Sequence, residues 1–220
     1  MKLKVIITGA SGMVGEGVLQ ECLYNDQVEQ VLVIGRRSCG YAHPKLKEII
    51  HADMYDISTI IDQLKDYTAC FFCLGMSSVG IKEPEYKKVT YELTMNFATA
   101  LSNINSGMTF CYVSGRGTDG TEQGRSMWAR VKGKTENALI KLPFNQVYNF
   151  RPGILKPASG SKNVLPAYKW MGWLIPIINF FSPNNIINIK DMGKAMINAT
   201  IHGYDKKILE VKDILVLANK

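Results

Sequence analysis

The stretch Val5–Leu19, VIITGASGMVGEGVL, constrains the fold of this chain more than any other. Its apolar run Val5, Ile6, Ile7 has the length and β-branched content of a buried strand. Gly9, Gly12 and Gly15 follow at once, and Val14, Val18, Leu19, Cys22 and Leu23 then recur at helical spacing. A strand, a glycine-rich turn and a helix with almost no linker leave the first N–H groups and positive dipole end of the helix facing outward, which suits an anion. In such a turn one glycine permits the bend, one lets a pyrophosphate approach the backbone, and one lets helix and strand pack closely. The stretch reads as a dinucleotide-binding turn, with Thr8, Gly9, Ser11, Gly12, Met13, Val14 and Gly15 as cofactor contacts. The plainer alternative is an ordinary strand–helix turn.

The rest of the chain repeats the same alternation. Gln30–Gly35 (QVLVIG) predicts a second buried strand ending in Arg36-Arg37. A fold of this kind that binds NAD offers an acid here to the ribose 2′-hydroxyl, whereas an arginine suits a 2′-phosphate, so NADP(H) is favoured and NAD(H) is the alternative. Leu46–His51 is a weaker third strand. Asp53 follows it, either to accept a hydrogen bond from an adenine amino group or to cap a short helix near Ile57–Leu64. Ala69–Leu74 (ACFFCL) is a central strand running into Gly75, where backbone can lie against a cofactor. Strand alternation sends Cys70 and Cys73 to opposite faces, so their C-x-x-C spacing reads as packing and not as a redox or metal pair.

Pro84 opens a long helix whose apolar positions Tyr86, Val89, Leu93, Phe97, Ala100, Leu101 and Ile104 run to Gly107. Met108–Val113 is a fifth strand with Ser114 at its carboxyl end. Residues 125–142 form a helix on which Trp128 and Lys132 stand one turn apart. Gln146–Phe150 is a sixth strand, ended by Arg151-Pro152-Gly153. Six such units predict an α/β fold, a doubly wound parallel sheet of the Rossmann type with a small C-terminal substrate or lid region. Ligands then bind outside the carboxyl ends of the strands, where Gly9, Arg36, Leu74, Gly75, Ser114, Pro152 and Gly153 all fall.

At 220 residues the chain fits one domain, 1–220, with residues 154–189 as a substrate or lid insertion. The apolar run Trp170–Phe181 is too short and too interrupted for a membrane span, which leaves a lid, a homodimer contact or a membrane-surface patch. A helix over Lys190–Ile201 and a strand around Lys207–Val211 return to the sheet. Residues 1–110 hold 10 basic and 12 acidic side chains and residues 111–220 hold 16 and 7, so the second half carries the whole net charge of +7. That half can attract an anionic cofactor or substrate, or can simply be a solvated surface. The basic residues are dispersed and not interleaved with aromatics, which argues against nucleic acid. No histidine or cysteine spacing suggests a metal. An odd number of mostly apolar-run cysteines, and an N-terminus that reads as neither signal peptide nor transit sequence, predict a cytoplasmic protein.

The segments GASGMVGEGVLQECL, VLVIGRR, MTFCYVSG and VKGKTENAL resemble the atypical or extended branch of the short-chain dehydrogenases/reductases, whose T-G-x-x-G-x-x-G signature is Thr8–Gly15. More narrowly they resemble bacterial relatives of the Tat-interacting-protein oxidoreductases. The resemblance implies a serine that holds the substrate oxygen, matched by Ser114, and a lysine that bonds the nicotinamide ribose, matched by Lys132. The helper asparagine of that family falls on Thr90. Its catalytic tyrosine falls on Trp128, whose indole N–H donates a hydrogen bond but releases no proton near neutral pH. Tyr112, on the Ser114 side of its strand, is a substitute donor or a core aromatic. Two functions follow: an NADP(H)-dependent oxidoreductase acting on an unidentified small carbonyl or alcohol, or a dinucleotide-binding sensor without turnover.

Overall fold

The computed structural model describes residues 2–157, 163 and 186–220. Seven parallel strands form one sheet: β1 (Leu3–Thr8), β2 (Val28–Gly35), β3 (Leu46–Ile50), β4 (Ala69–Phe72), β5 (Thr109–Val113), β6 (Gln146–Arg151) and β9 (Ile208–Glu210). Their spatial order is β3-β2-β1-β4-β5-β6-β9, every neighbour parallel. The order reverses between β1 and β4, which opens a crevice at their carboxyl ends. A separate parallel pair, β7 (Ile154–Lys156) with β8 (Ile186–Asn188), leaves the sheet directly after β6.

The strands are apolar on both faces because helices cover both. Val5, Ile7, Phe71, Cys111, Tyr148 and Phe150 point into one core, beneath α1 (Met13–Tyr24), α5 (Ile189–His202) and α6 (Val211–Ala218). Ile6, Cys70, Phe72, Phe110, Tyr112 and Val147 point into the other, beneath α3 (Leu93–Ile104) and α4 (Met127–Leu139). Cys70 and Cys73 do lie on opposite faces.

Several sequence boundaries move. The long helix predicted from Pro84 is three pieces: α2 (Glu83–Lys87), a π-helical turn (Lys88–Glu92) and α3. The wider turn inserts a residue and shifts the phase, so Thr90 is buried while Val89 turns toward a cavity beside the crevice. The helix predicted over 125–142 shortens to α4. The strand predicted around Lys207–Val211 ends at Glu210, where a reciprocal Glu210–Asp213 capping box starts α6 instead. The run Trp170–Phe181 lies outside the described residues, as does most of the proposed insertion 154–189.

Candidate functional site

The crevice begins where β1 stops. Gly9 adopts φ +71°, and a Cβ there would stand 2.7 Å from the backbone of Cys73 and Leu74, so the turn lies directly on the end of β4. Buried Thr8 joins the same two strands, its Oγ1 accepting from the Leu74 amide at 3.3 Å. The Gly12 amide donates to the Gly9 carbonyl at 2.9 Å and closes the loop. Gly12 then caps α1 with extended backbone and no side-chain acceptor, so the first helical amides, those of Met13, Val14 and Gly15, keep outward-facing donors. The Met13 and Val14 side chains turn the other way, into the core.

Gly9, Ser11 and Gly12 form one wall of a cavity of about 530 Å³. Arg36 and Arg37 form the second wall, and Leu74 and Gly75 the third. The arginines sit on a loop that is held at several points. Glu48 on β3 accepts from the Ser38 hydroxyl at 2.8 Å and the Cys39 amide at 2.7 Å. Burial alone would raise its carboxyl, but these hydrogen bonds keep it below the usual range. The Tyr41 hydroxyl donates to the fully buried Glu16 of α1 at 2.5 Å. The Glu48 carboxylate is thus turned onto Ser38 and Cys39 of the same loop, and Arg36 and Arg37 line the cavity at the end of β2.

A second cavity, about 290 Å³, shares Arg36, Leu74 and Gly75 with the first and adds Asp53, Tyr55 and Val89. Asp53 Oδ1 accepts from the Tyr55 amide at 2.9 Å and starts no helix; the 3₁₀ turn Ser58–Leu64 begins five residues later. These joined spaces, a helix N-terminus with unsatisfied amides and paired guanidinium groups fit a dinucleotide with its pyrophosphate on the glycine turn.

The remaining predicted residues gather at the far end of the rim. Ser114 is 4 % exposed, and its Oγ lies 2.5 Å from Glu136 Oε1 and 3.1 Å from the Phe150 carbonyl. Its one hydrogen therefore points into the protein, toward Glu136 or the Phe150 carbonyl. Glu136 is wholly buried and is gripped by Arg151 through Nε at 3.0 Å and a terminal nitrogen at 2.5 Å, while Arg151 reaches Glu210 at 3.1 Å. Lys132, half-buried, donates to the Ser114 carbonyl and stands beside Gly115. Burial pulls its ammonium down to about 8, with the Glu136 carboxylate one turn along acting in the opposite sense. Trp128 packs its ring against Gly117. Tyr112 is 2 % exposed, 6.2 Å from the Phe72 ring, and burial raises its hydroxyl strongly, which makes it a core aromatic. The Pro152 carbonyl accepts from the Arg116 amide at 2.9 Å, fixing the loop after β5, with Gly153 partly buried beside it. Sequence reasoning missed Glu136 as a site member; its one signal is the four-residue spacing after Lys132.

Among the described residues no cluster of His, Cys, Asp and Glu could hold a metal ion, and no helix is long and apolar enough to cross a membrane. Protein HTATIP2 of Rattus norvegicus is 26 % identical over 153 residues, which is 69 % of this chain and 62 % of the rat protein, so the match spans less than two thirds of that relative. Protein FMP52-2, mitochondrial, of Scheffersomyces stipitis is 27 % identical over 159 residues, 70 % of this chain and 67 % of that one. The UDP-N-acetylglucosamine 4-epimerase from Methanobrevibacter ruminantium M1 superimposes with a TM-score of 0.69 at 17 % identity, covering 96 % of this chain and 76 % of the epimerase. The Bordetella bronchiseptica enzyme WbmF, solved with NAD+, gives 0.69 at 15 %, covering 99 % and 77 %. These two share the fold. The FMP52 relatives are named as mitochondrial, which overturns the cytoplasmic expectation: reduced cysteines and this fold do not fix a compartment. Residues 5–130, from the first strand to the first turn of α4, match the epimerase model. The chain belongs to the NAD dependent epimerase/dehydratase family.

Proposed function

We propose that this protein is an NADP(H)-dependent oxidoreductase that reduces a small carbonyl compound or oxidises the matching alcohol. The observation that carries the reading is the Arg36-Arg37 wall of the cavity, continuous with the glycine turn and with Glu48 turned away from it. The amides at the start of α1 would hold the pyrophosphate, Arg36 and Arg37 the 2′-phosphate, and Asp53 the adenine amino group. Leu74, Gly75, Pro152 and Gly153 would line the path to the nicotinamide, and Lys132 would bond its ribose. The reduced nicotinamide supplies a hydride when bound. Ser114, held by Glu136, sets the end of β5 where the substrate oxygen would lie. Residues 1–220 serve as one dinucleotide-binding unit in this reading, with 154–189 as its substrate-side insertion.

Calorimetric titration tests the cofactor assignment. Two charge-assisted contacts at about 1.5 kcal/mol each amount to about 100-fold in affinity. Replacing both Arg36 and Arg37 with alanine should weaken NADPH by that factor and NADH by less than about threefold. Equal weakening of the two coenzymes refutes the assignment. Two points favour a second reading, a cofactor-binding sensor without turnover: the family resemblance puts Trp128 at the position of the proton-transferring tyrosine, and the Ser114 hydroxyl faces inward.

A further inference from the structure

Resting on the reductase reading above, we infer that the ammonium group of Lys132 is the proton donor of the reaction, filling the part that Trp128 cannot. The geometry at the rim leaves few other groups. The indole of Trp128 gives up no proton in water's range. The Ser114 hydrogen is committed to Glu136 or to the Phe150 carbonyl, at 2.5 and 3.1 Å. Tyr86 and Tyr112 are each 2 % exposed, and burial raises both hydroxyls, so they stay protonated inside the core. Cys73 lines the first cavity, but burial pushes its thiol up to about 12. Lys132 is different in kind. Its Nζ makes one hydrogen bond among the described residues, to the Ser114 carbonyl at the mouth of the sheet, and an ammonium has three N–H groups. Two remain for a ligand beside Gly115.

The charges around Lys132 set its acidity in a useful range. Glu136 faces it from its own helix, and Arg151 reaches over from β6 to occupy that carboxylate on both oxygens. Tyr112 from β5 and Tyr86 from α2 bring no charge. Burial dominates and brings the ammonium to about 8, so at neutral pH the acid form outnumbers the amine by about ten to one. A donor with that acidity is near the optimum for proton transfer at physiological pH. In the step itself the carbonyl π bond breaks, its carbon gains a hydride from the reduced nicotinamide, and its oxygen gains the proton from Nζ. The N–H bond breaks, Lys132 becomes a neutral amine, and solvent restores its proton.

The test uses the 220-residue chain labelled with ¹⁵N- and ¹³C-lysine. In NMR titration the resonance missing from the Lys132→Arg spectrum should show a midpoint near 8; a midpoint in the ordinary lysine range, about 10.4, overturns the inference. Arginine keeps the cation and its donors but releases no proton, so Lys132→Arg is compared with wild type at saturating NADPH. With 4-nitrobenzaldehyde as the carbonyl probe, its turnover should fall by about 100-fold or more. Turnover retained in Lys132→Arg sinks the inference and leaves the reductase reading standing. Wild type that binds NADPH yet never reduces the probe sinks both. If the arginine variant does not fold, wild type decides alone: its rate must decline as pH rises through about 8, where the acid form is lost, and a flat profile there refutes the role.

Discussion

Replacing Gly15 with alanine should abolish measurable NADPH binding and lower the melting temperature by about 6–12 °C, the size of a 3 kcal/mol loss in a chain of this length. Helix propensity alone points the other way, since alanine is favoured over glycine inside a helix by about 1 kcal/mol. Packing decides. A Cβ at position 15 would stand 2.2 Å from the Gly9 carbonyl oxygen, 2.5 Å from its carbon and 2.9 Å from the Ala10 nitrogen. All of these are backbone atoms of the tight turn, so no rotamer change can make room. Gly9 cannot retreat either, because its own backbone lies against Cys73 and Leu74 and uses φ +71°. The helix must therefore move away from the turn, and its terminal amides move with it. Gly12→Ala separates the two effects. Its Cβ would meet only the Gly9 carbonyl oxygen, at 3.4 Å, and its φ of −104° suits any residue. That variant should melt close to wild type and still lose affinity, because a methyl group would occupy the approach to the pyrophosphate. Thermal melts and calorimetric titration of both variants check this; a Gly15→Ala protein with wild-type melting and affinity contradicts it.

The same turn explains why so much of the fold can be read from the residues. Buried parallel strands need apolar side chains on both faces, and runs such as Ile6-Ile7 and Phe71-Phe72 supply them without any tertiary information. Glycines at Gly9 and Gly15 are set by local backbone demands, so their spacing carries the geometry directly. The π turn at Lys88–Glu92 is different. It costs the pattern one residue, and Tyr86, Val89 and Leu93 still look periodic across it even though Thr90 is the residue that goes inside. Glu136 was equally hidden. In K-T-E-N it reads as one more exposed helical acid, and what buries it is Arg151, fifteen residues later on a strand. Position at the end of β5 was legible for Ser114, but the direction of its hydroxyl depends on that same partner. The last helix has a signal in Glu210 with Asp213 three residues on, but Lys207–Val211 suits a strand equally well.

The Glu136–Arg151 pair carries the other large effect. Glu136 has no exposed surface, and its carboxylate is met by two guanidinium nitrogens and one serine hydroxyl. Removing one member of such a pair leaves an uncompensated charge in the core, which costs about 3–5 kcal/mol, whereas removing both costs far less. Arg151→Met should therefore destabilise the protein by that amount in urea unfolding, and the double variant Glu136→Gln with Arg151→Met should recover a large part of it. The cycle isolates the coupling because the two sites touch directly. An Arg151→Met protein within about 1 kcal/mol of wild type would mean that the pair is solvated and not a buried clamp. The consequence extends to the rim. Ser114 and Lys132 are held by the same group of contacts, one through the Glu136 carboxylate and the other through the Ser114 carbonyl. If Arg151 leaves, Glu136 loses its main partner and becomes the charge that Lys132 faces alone. The Lys132 midpoint should then rise toward the ordinary lysine range, because the opposing carboxylate is no longer shared, and an unchanged midpoint would show that Arg151 has no part in setting the chemistry of the site.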